Sequence, residues 1–161
     1  MGLMKRHFDE DLDDLRRSLL DMGGLCEDMI GQAVRVLTER DESHLADIRK
    51  NEDQVNQLHI EIDDKCLKAI ALHQPAAGDL RLIAAALKIN SDLERIGDQA
   101  VNISETSVFL CRQPMIQHYD IPRMVELASS MVKDSLDAFA RRDVALANAV
   151  IARDDEEDAL K

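Results

Sequence analysis

The side chains with the clearest chemical potential are carboxylates at helical spacing. Glu94 and Asp98 lie four residues apart in NSDLERIGDQAVNI, so a helix there projects both from one face. Asn102 follows one turn later, with Glu105 nearby. Glu52 and Asn56 repeat the spacing earlier in the chain, and Asp154 and Asp158 repeat it near the end. Oxygen donors placed this way hold a hard or borderline cation between them, with Fe, Zn, Mn and Mg as the candidates. The competing reading is a solvated acidic face. Asp and Glu make up 32 of the 161 residues, and chance alone then supplies roughly six such pairs.

Other chemistry is harder to assemble. None of the five histidines stands three residues after a Glu, which removes the Glu-x-x-His pair of di-iron bundles. His59 sits at the edge of an apolar stripe and reads as a packed residue. Cys26 and Cys66 fall on stripe positions and read as core. With Cys111 they form no CxxC pair, as expected of reduced thiols. No glycine-rich phosphate loop, nucleophile elbow or zinc-protease motif occurs, so the chain is read as having no catalytic residues. A formal net charge of −12 argues against nucleic acid as a partner. Three Phe, one Tyr and no Trp leave little for base stacking. The first residues lack the apolar core of a signal peptide, and the longest apolar run, residues 82–87, is too short to span a bilayer. A soluble, cytoplasmic chain is expected.

The elements that position these groups are long helices. Phe8, Leu12, Leu15, Leu19, Met22, Cys26, Met29, Ala33 and Leu37 recur in steps of three and four, predicting one helix over about residues 5–39. Gly23 and Gly24 in its middle suggest a mild kink. Leu45, Ile48, Val55, Ile62, Cys66 and Ala69 mark a second helix, ended by His73-Gln74-Pro75. Leu82, Ala86, Ile89, Leu93, Ile96, Ala100 and Ile103 mark a third, closed by Pro114. Leu80, Ile83 and Leu87 make the first half of that helix apolar on its other face too, so that half is expected to be covered on two sides. A fourth helix is predicted over 121–140, with Ile121, Met124, Ala128, Met131, Ser135 and Ala138 facing inward, and a fifth from Val144.

The chain also repeats. Shifted by 102 positions, Met22, Leu25, Met29, Arg40, Asp41, Asp53 and Leu58 coincide with Met124, Leu127, Met131, Arg142, Asp143, Asp155 and Leu160. The expected fold is all-α: tandem antiparallel three-helix bundles, the first complete over 1–116 and the second incomplete over 117–161. Met131, Leu136 and Phe139 would then lack their natural third helix, and the exposed apolar face suggests a homodimer.

The segment HQPAAGDLRLIAAALKINSDLERIGDQAVNISE resembles the signature of the PhoU family, through Gln74-Pro75, Asp79-Leu80-Arg81, Ala86-Leu87-Lys88 and the run from Asp92 to Asp98 with Asn102. The resemblance implies two pseudo-symmetric three-helix bundles. It also implies a non-catalytic regulator of phosphate homeostasis, docking on a phosphate ABC transporter ATPase and signalling to a sensor histidine kinase. Such a regulator represses phosphate-starvation genes and phosphate uptake. Metal ligands carried over by position are Glu94 with Asp98 in the third helix, Glu52 with Asn56 in the second, and Asp154 with Asp158 in the fifth. Asn56 stands where a second carboxylate is expected, and an amide oxygen is a neutral, weaker ligand. Asp79, Arg81, Arg95 and Asn102 are carried over as partner contacts; for Asp79 the alternative is a helix cap, and for Arg81 an ion pair with a neighbouring helix. Two other roles remain open: a metal-binding accessory of a secondary phosphate transporter, and a metal-storage or metal-dependent bundle enzyme.

Overall fold

The protein is described here from a computed structural model covering residues 2–113 and 120–160, with side chains from His7. Among the described residues the elements are α1 (Gly2–Thr38), a 3-10 turn (Glu42–His44), α2 (Leu45–His73), α3 (Ala77–Leu110), α4 (Ile121–Arg141), α5 (Val144–Ala152) and α6 (Asp154–Asp158), with no strand. Pro114, His118 and the expected 116/117 junction lie outside the described residues.

The first three helices form an antiparallel bundle around the predicted stripes. Leu15, Leu19, Met22, Cys26 and Met29 of α1 meet Ile48, Val55, Ile62 and Cys66 of α2, all essentially without solvent contact. Each large apolar side chain removed from water contributes about 1.5–3 kcal/mol. Burial also silences the thiols. The Cys26 thiol is pushed up to about 12 and donates to Leu93 O at 3.2 Å. Cys66 rises to about 11 for the same reason.

The third helix buries Leu82, Ala86, Leu93 and Ala100 of its predicted stripe but departs from it at Ile89, Ile96 and Ile103. Its buried line is Leu82, Ile83, Ala86, Asn90, Leu93, Gly97, Ala100, Ser104 and Ser107, while Ile103 is 41% exposed. Small residues set this line, because they let α3 come close to its neighbours. A Cβ on Gly97 would stand 3.3 Å from Val55 Cγ1 and 3.7 Å from Met29 Cε. Ser104 and Ser107 hydroxyls donate to Val101 O and Ile103 O of their own helix, which satisfies them within the packed face. Leu80, expected under cover, is exposed.

The repeat is visible in its junctions. Arg40, two residues past the end of α1, and Arg142, the C-cap of α4, both adopt the left-handed region, with φ of 55° and 56°. The next residue in each case is an aspartate N-cap. Asp41 accepts from Ser43 N at 2.9 Å, and Asp143 accepts from Leu146 N at 2.9 Å. Arg40 does more than its counterpart, donating to Cys111 O and Gln113 O and so tying the end of α3 to the end of α1.

Two expectations for the second unit are corrected. Leu136 and Phe139 were expected to be uncovered, but Leu136 is 5% exposed and joins the core of the first bundle, with Phe139 and Val132 packed beside it. Gly23 is the cause: Leu136 Cδ1 occupies the space a Cβ would need, so α4 lies directly on the backbone of α1. Leu136, rather than the predicted Ser135, is therefore the inward residue, and Ser135 is exposed. The fifth helix also stops early. Arg153 folds back to α4, where its guanidinium meets Asp134 at 2.5 Å and Ser130 at 3.3 Å, and the acidic run restarts as α6.

Candidate functional site

Gly97 sets the geometry of the predicted metal face. It lies in the signature run and seats α3 against Val55 of α2. Val55 falls between Glu52 and Asn56 in sequence, and Asp98 follows Gly97, so close packing at this point brings Glu52 and Asp98 to the same seam. Their proximity shows in the electrostatics. Burial raises the Glu52 carboxyl above its ordinary 4.5, and the charges of Asp98, Asp53 and Glu105 raise it further, against the pull of Arg49. Arg49 itself faces Glu105 at 3.8 Å, both exposed.

Around this pair, Glu94 is half-buried on α3, while Asn56 and Asn102 are exposed. The donor set is all oxygen, which suits a hard divalent cation, and the mutual repulsion of Glu52 and Asp98 is a charge that a cation relieves. Among the described residues no three His, Cys, Asp or Glu side chains converge as a ligand set. Holding a cation therefore requires side-chain rotation on the seam, or water completing the shell.

The other predicted residues fall elsewhere. Asp154 and Asp158 are exposed on α6, separate from the α2–α3 seam, and belong to the short acidic helix rather than to a continuous fifth helix. Glu156 of that helix pairs with Arg123 of α4 at 3.3 Å. Arg95 is exposed and faces Asp92 on its own helix at 3.9 Å. Asp79 is half-buried in the first turn of α3, where its charge suits the helix dipole; the N-cap position belongs to Ala76, which makes no side-chain cap bond. Arg81 is exposed and lines a groove of about 600 Å³ shared with α4 and α5, facing Phe139 and Arg142.

Sequence spacing did not reveal that Asp98 and Glu105 of α3 act on Glu52 of α2, because that meeting depends on the relative register of two helices; Arg49 and Asp53, which also act on Glu52, lie on its own helix and were within reach of spacing. Spacing also missed the polar knot behind the seam. Asn90 is fully buried, and its amide donates to His59 O and to Asp63 Oδ1, each at 2.9 Å. A lone Asn on an otherwise apolar helix face was the available signal.

These features define a class: an all-α bundle whose second and third helices present a carboxylate-rich seam built on a packing glycine. Matches to known proteins make the class specific. The family model described as PhoU domain matches residues 19–107 and again 121–161. The chain belongs to the PhoU family. A PhoU homologue of Aquifex aeolicus, named a phosphate-specific transport system accessory protein, is 36% identical over 152 residues, covering 94% of this chain and 69% of the relative. The corresponding homologue of Pseudomonas putida is 38% identical over 153 residues, 94% of this chain and 60% of the relative. The crystal structure of PhoU from Pseudomonas aeruginosa superposes with a TM-score of 0.86 at 38% identity, over 93% of this chain and 74% of that one. The chain thus spans between 60% and 69% of the length of these two curated relatives. No helix among the described residues is long and apolar enough to cross a membrane.

Proposed function

We propose that this protein is a non-catalytic accessory of phosphate transport that acts in the cytoplasm. It links a phosphate ABC transporter ATPase to a sensor histidine kinase and restrains phosphate uptake and the phosphate-starvation genes. The observation that carries the reading is the double match of the PhoU domain, in the same two stretches that share the Arg-Asp junction. The relatives' role in a phosphate-specific transport system supports the choice of transporter class.

Glu52, Asn56, Glu94 and Asp98 are the residues that would hold a divalent or iron cation on the first bundle, with Asp154 and Asp158 contributing to a second site. A bound cation supplies positive charge to an acidic face and cross-links α2 to α3. Asp79, Arg81, Arg95 and Asn102 supply polar contacts to partners, and a homodimer is the expected assembly. The test is co-purification of the chain with the transporter ATPase and, separately, with the kinase sensor region. Elemental analysis of wild type and of a Glu94→Ala, Asp98→Ala double variant accompanies it. Retention of both partners, with stoichiometric metal lost from the variant, is the expected result. A chain that retains neither partner overturns the regulatory reading, and metal-free wild-type protein overturns the metal site.

A further inference from the structure

A second surface, independent of the carboxylate seam, lies between α1 and α2. It is a groove of about 620 Å³ whose apolar part is Leu20, Leu25 and Leu58, with Gly24 between them. Leu20 is 39% exposed. Nothing stands within 4 Å of where a Cβ on Gly24 would be, so the backbone of α1 lies open there. The adjacent glycines thus have different surroundings: Gly23 is filled by Leu136, while Gly24 faces open space.

Three carboxylates line the same groove: Asp21 and Asp28 from α1, and Glu61 from α2. No Lys or Arg lines it. Two of the cations one turn beyond the groove are engaged elsewhere, while Lys50, one turn before Gln54, is exposed. Lys65, one turn beyond Glu61, is held by Asp14 at 2.6 Å and by Ser18 at 2.7 Å, and Arg17 turns to Asp14 at 3.5 Å. Glu61 takes one hydrogen bond from the Gln57 amide, a neutral donor.

An apolar trough lined by three carboxylates and no Lys or Arg selects its occupant by charge. A second copy would set carboxylates against carboxylates in a chain of net charge −12. Small anions and nucleic acid meet the same repulsion. We propose that this groove docks a basic amphipathic helix of a partner protein. Its apolar side chains seat on Leu20, Leu25 and Leu58, and its Lys or Arg residues face Asp21, Asp28 and Glu61. The helix-in-groove mode lays an apolar helix face into such a trough, and the open space at Gly24 leaves room for it.

The experiment is fluorescence anisotropy of the full chain with a labelled helical peptide of about 15 residues, roughly 22 Å long. Leucines occupy positions i, i+3, i+4 and i+7, with lysines and arginines flanking them. The expected result is saturable binding that weakens with added salt and falls at least about tenfold in Gly24→Leu and in Asp28→Lys. Thermal melting by circular dichroism establishes that each variant is folded, and Asp28→Lys carries the test should Gly24→Leu not fold. A scrambled peptide of the same composition that binds equally well overturns the proposal, because simple charge attraction then accounts for the signal. So does absence of saturable binding, or binding unchanged in both folded variants. Sedimentation showing a wild-type dimer that Gly24→Leu dissociates also overturns it, assigning the groove to a second copy.

Discussion

Glu52 illustrates how packing converts an ordinary carboxylate into one with a pH-dependent cost. Burial first, then Asp98, Asp53 and Glu105, raise it above its unfolded value near 4.5. An acid with a raised native value binds its proton more tightly in the folded state than in the unfolded one. Its contribution to stability is therefore fullest at low pH and is lost as pH rises above 4.5. Glu52→Gln is expected to melt higher than wild type at pH 7, with the difference shrinking toward pH 4.5; thermal melts across that range check it. The gain should be small, below about 1 kcal/mol, because solvent screens this side chain. Glu27 is raised in the same direction, chiefly by burial, so the variant keeps part of the pH slope. The spacing of Glu52 with Asn56, and of Glu94 with Asp98, was legible because it is internal to one helix. The meeting of Glu52 with Asp98 was not, since it depends on Gly97 and Val55 fixing the register between two helices.

The same distinction governs the helices. The stripes of α1 and α2 were readable because large apolar side chains at three-four spacing have one way to face a core. In α3, Leu82, Ala86, Leu93 and Ala100 were read correctly, whereas Asn90, Gly97 and Ser104 take the inner places expected of Ile89, Ile96 and Ile103, since small or polar residues leave no hydrophobic signature. Gly23 and Gly24 looked alike in sequence and are opposites in structure, which two substitutions can separate. Gly24→Ala meets open space and gains helix propensity, so it is expected to stabilise by about 0.5–1 kcal/mol. Gly23→Ala gains the same propensity but must displace the buried Leu136, and overpacking of this kind costs about 1–3 kcal/mol. Chemical denaturation of the two single variants should therefore give shifts of opposite sign. Two stabilising shifts of equal size would mean that α4 moves away from α1 without penalty.

At the scale of the molecule, α1 is the shared element: it packs against α2 and α3 on its core stripe and receives α4 on Gly23. The tandem arrangement was legible from the Arg-Asp junctions, but the docking of α4 was not, because the 102-residue correspondence maps α4 onto α1 and says nothing about contact between them. Leu136 is the one residue of α4 that is both buried and part of the first bundle's core cluster, so it couples the two stretches of chain. Truncating it removes apolar contact and leaves a cavity, a change worth about 2–5 kcal/mol at a site that cannot collapse. That energy belongs to the α1–α4 contact rather than to the three-helix core. Leu136→Ala is therefore expected to speed amide hydrogen exchange in α4 and α5, while α2 and α3 keep their protection. Exchange followed by mass spectrometry reads each helix separately. Equal loss of protection in α2 and α4 would show that α4 is part of one cooperative core, and that α1 carries no separable load on its glycine face.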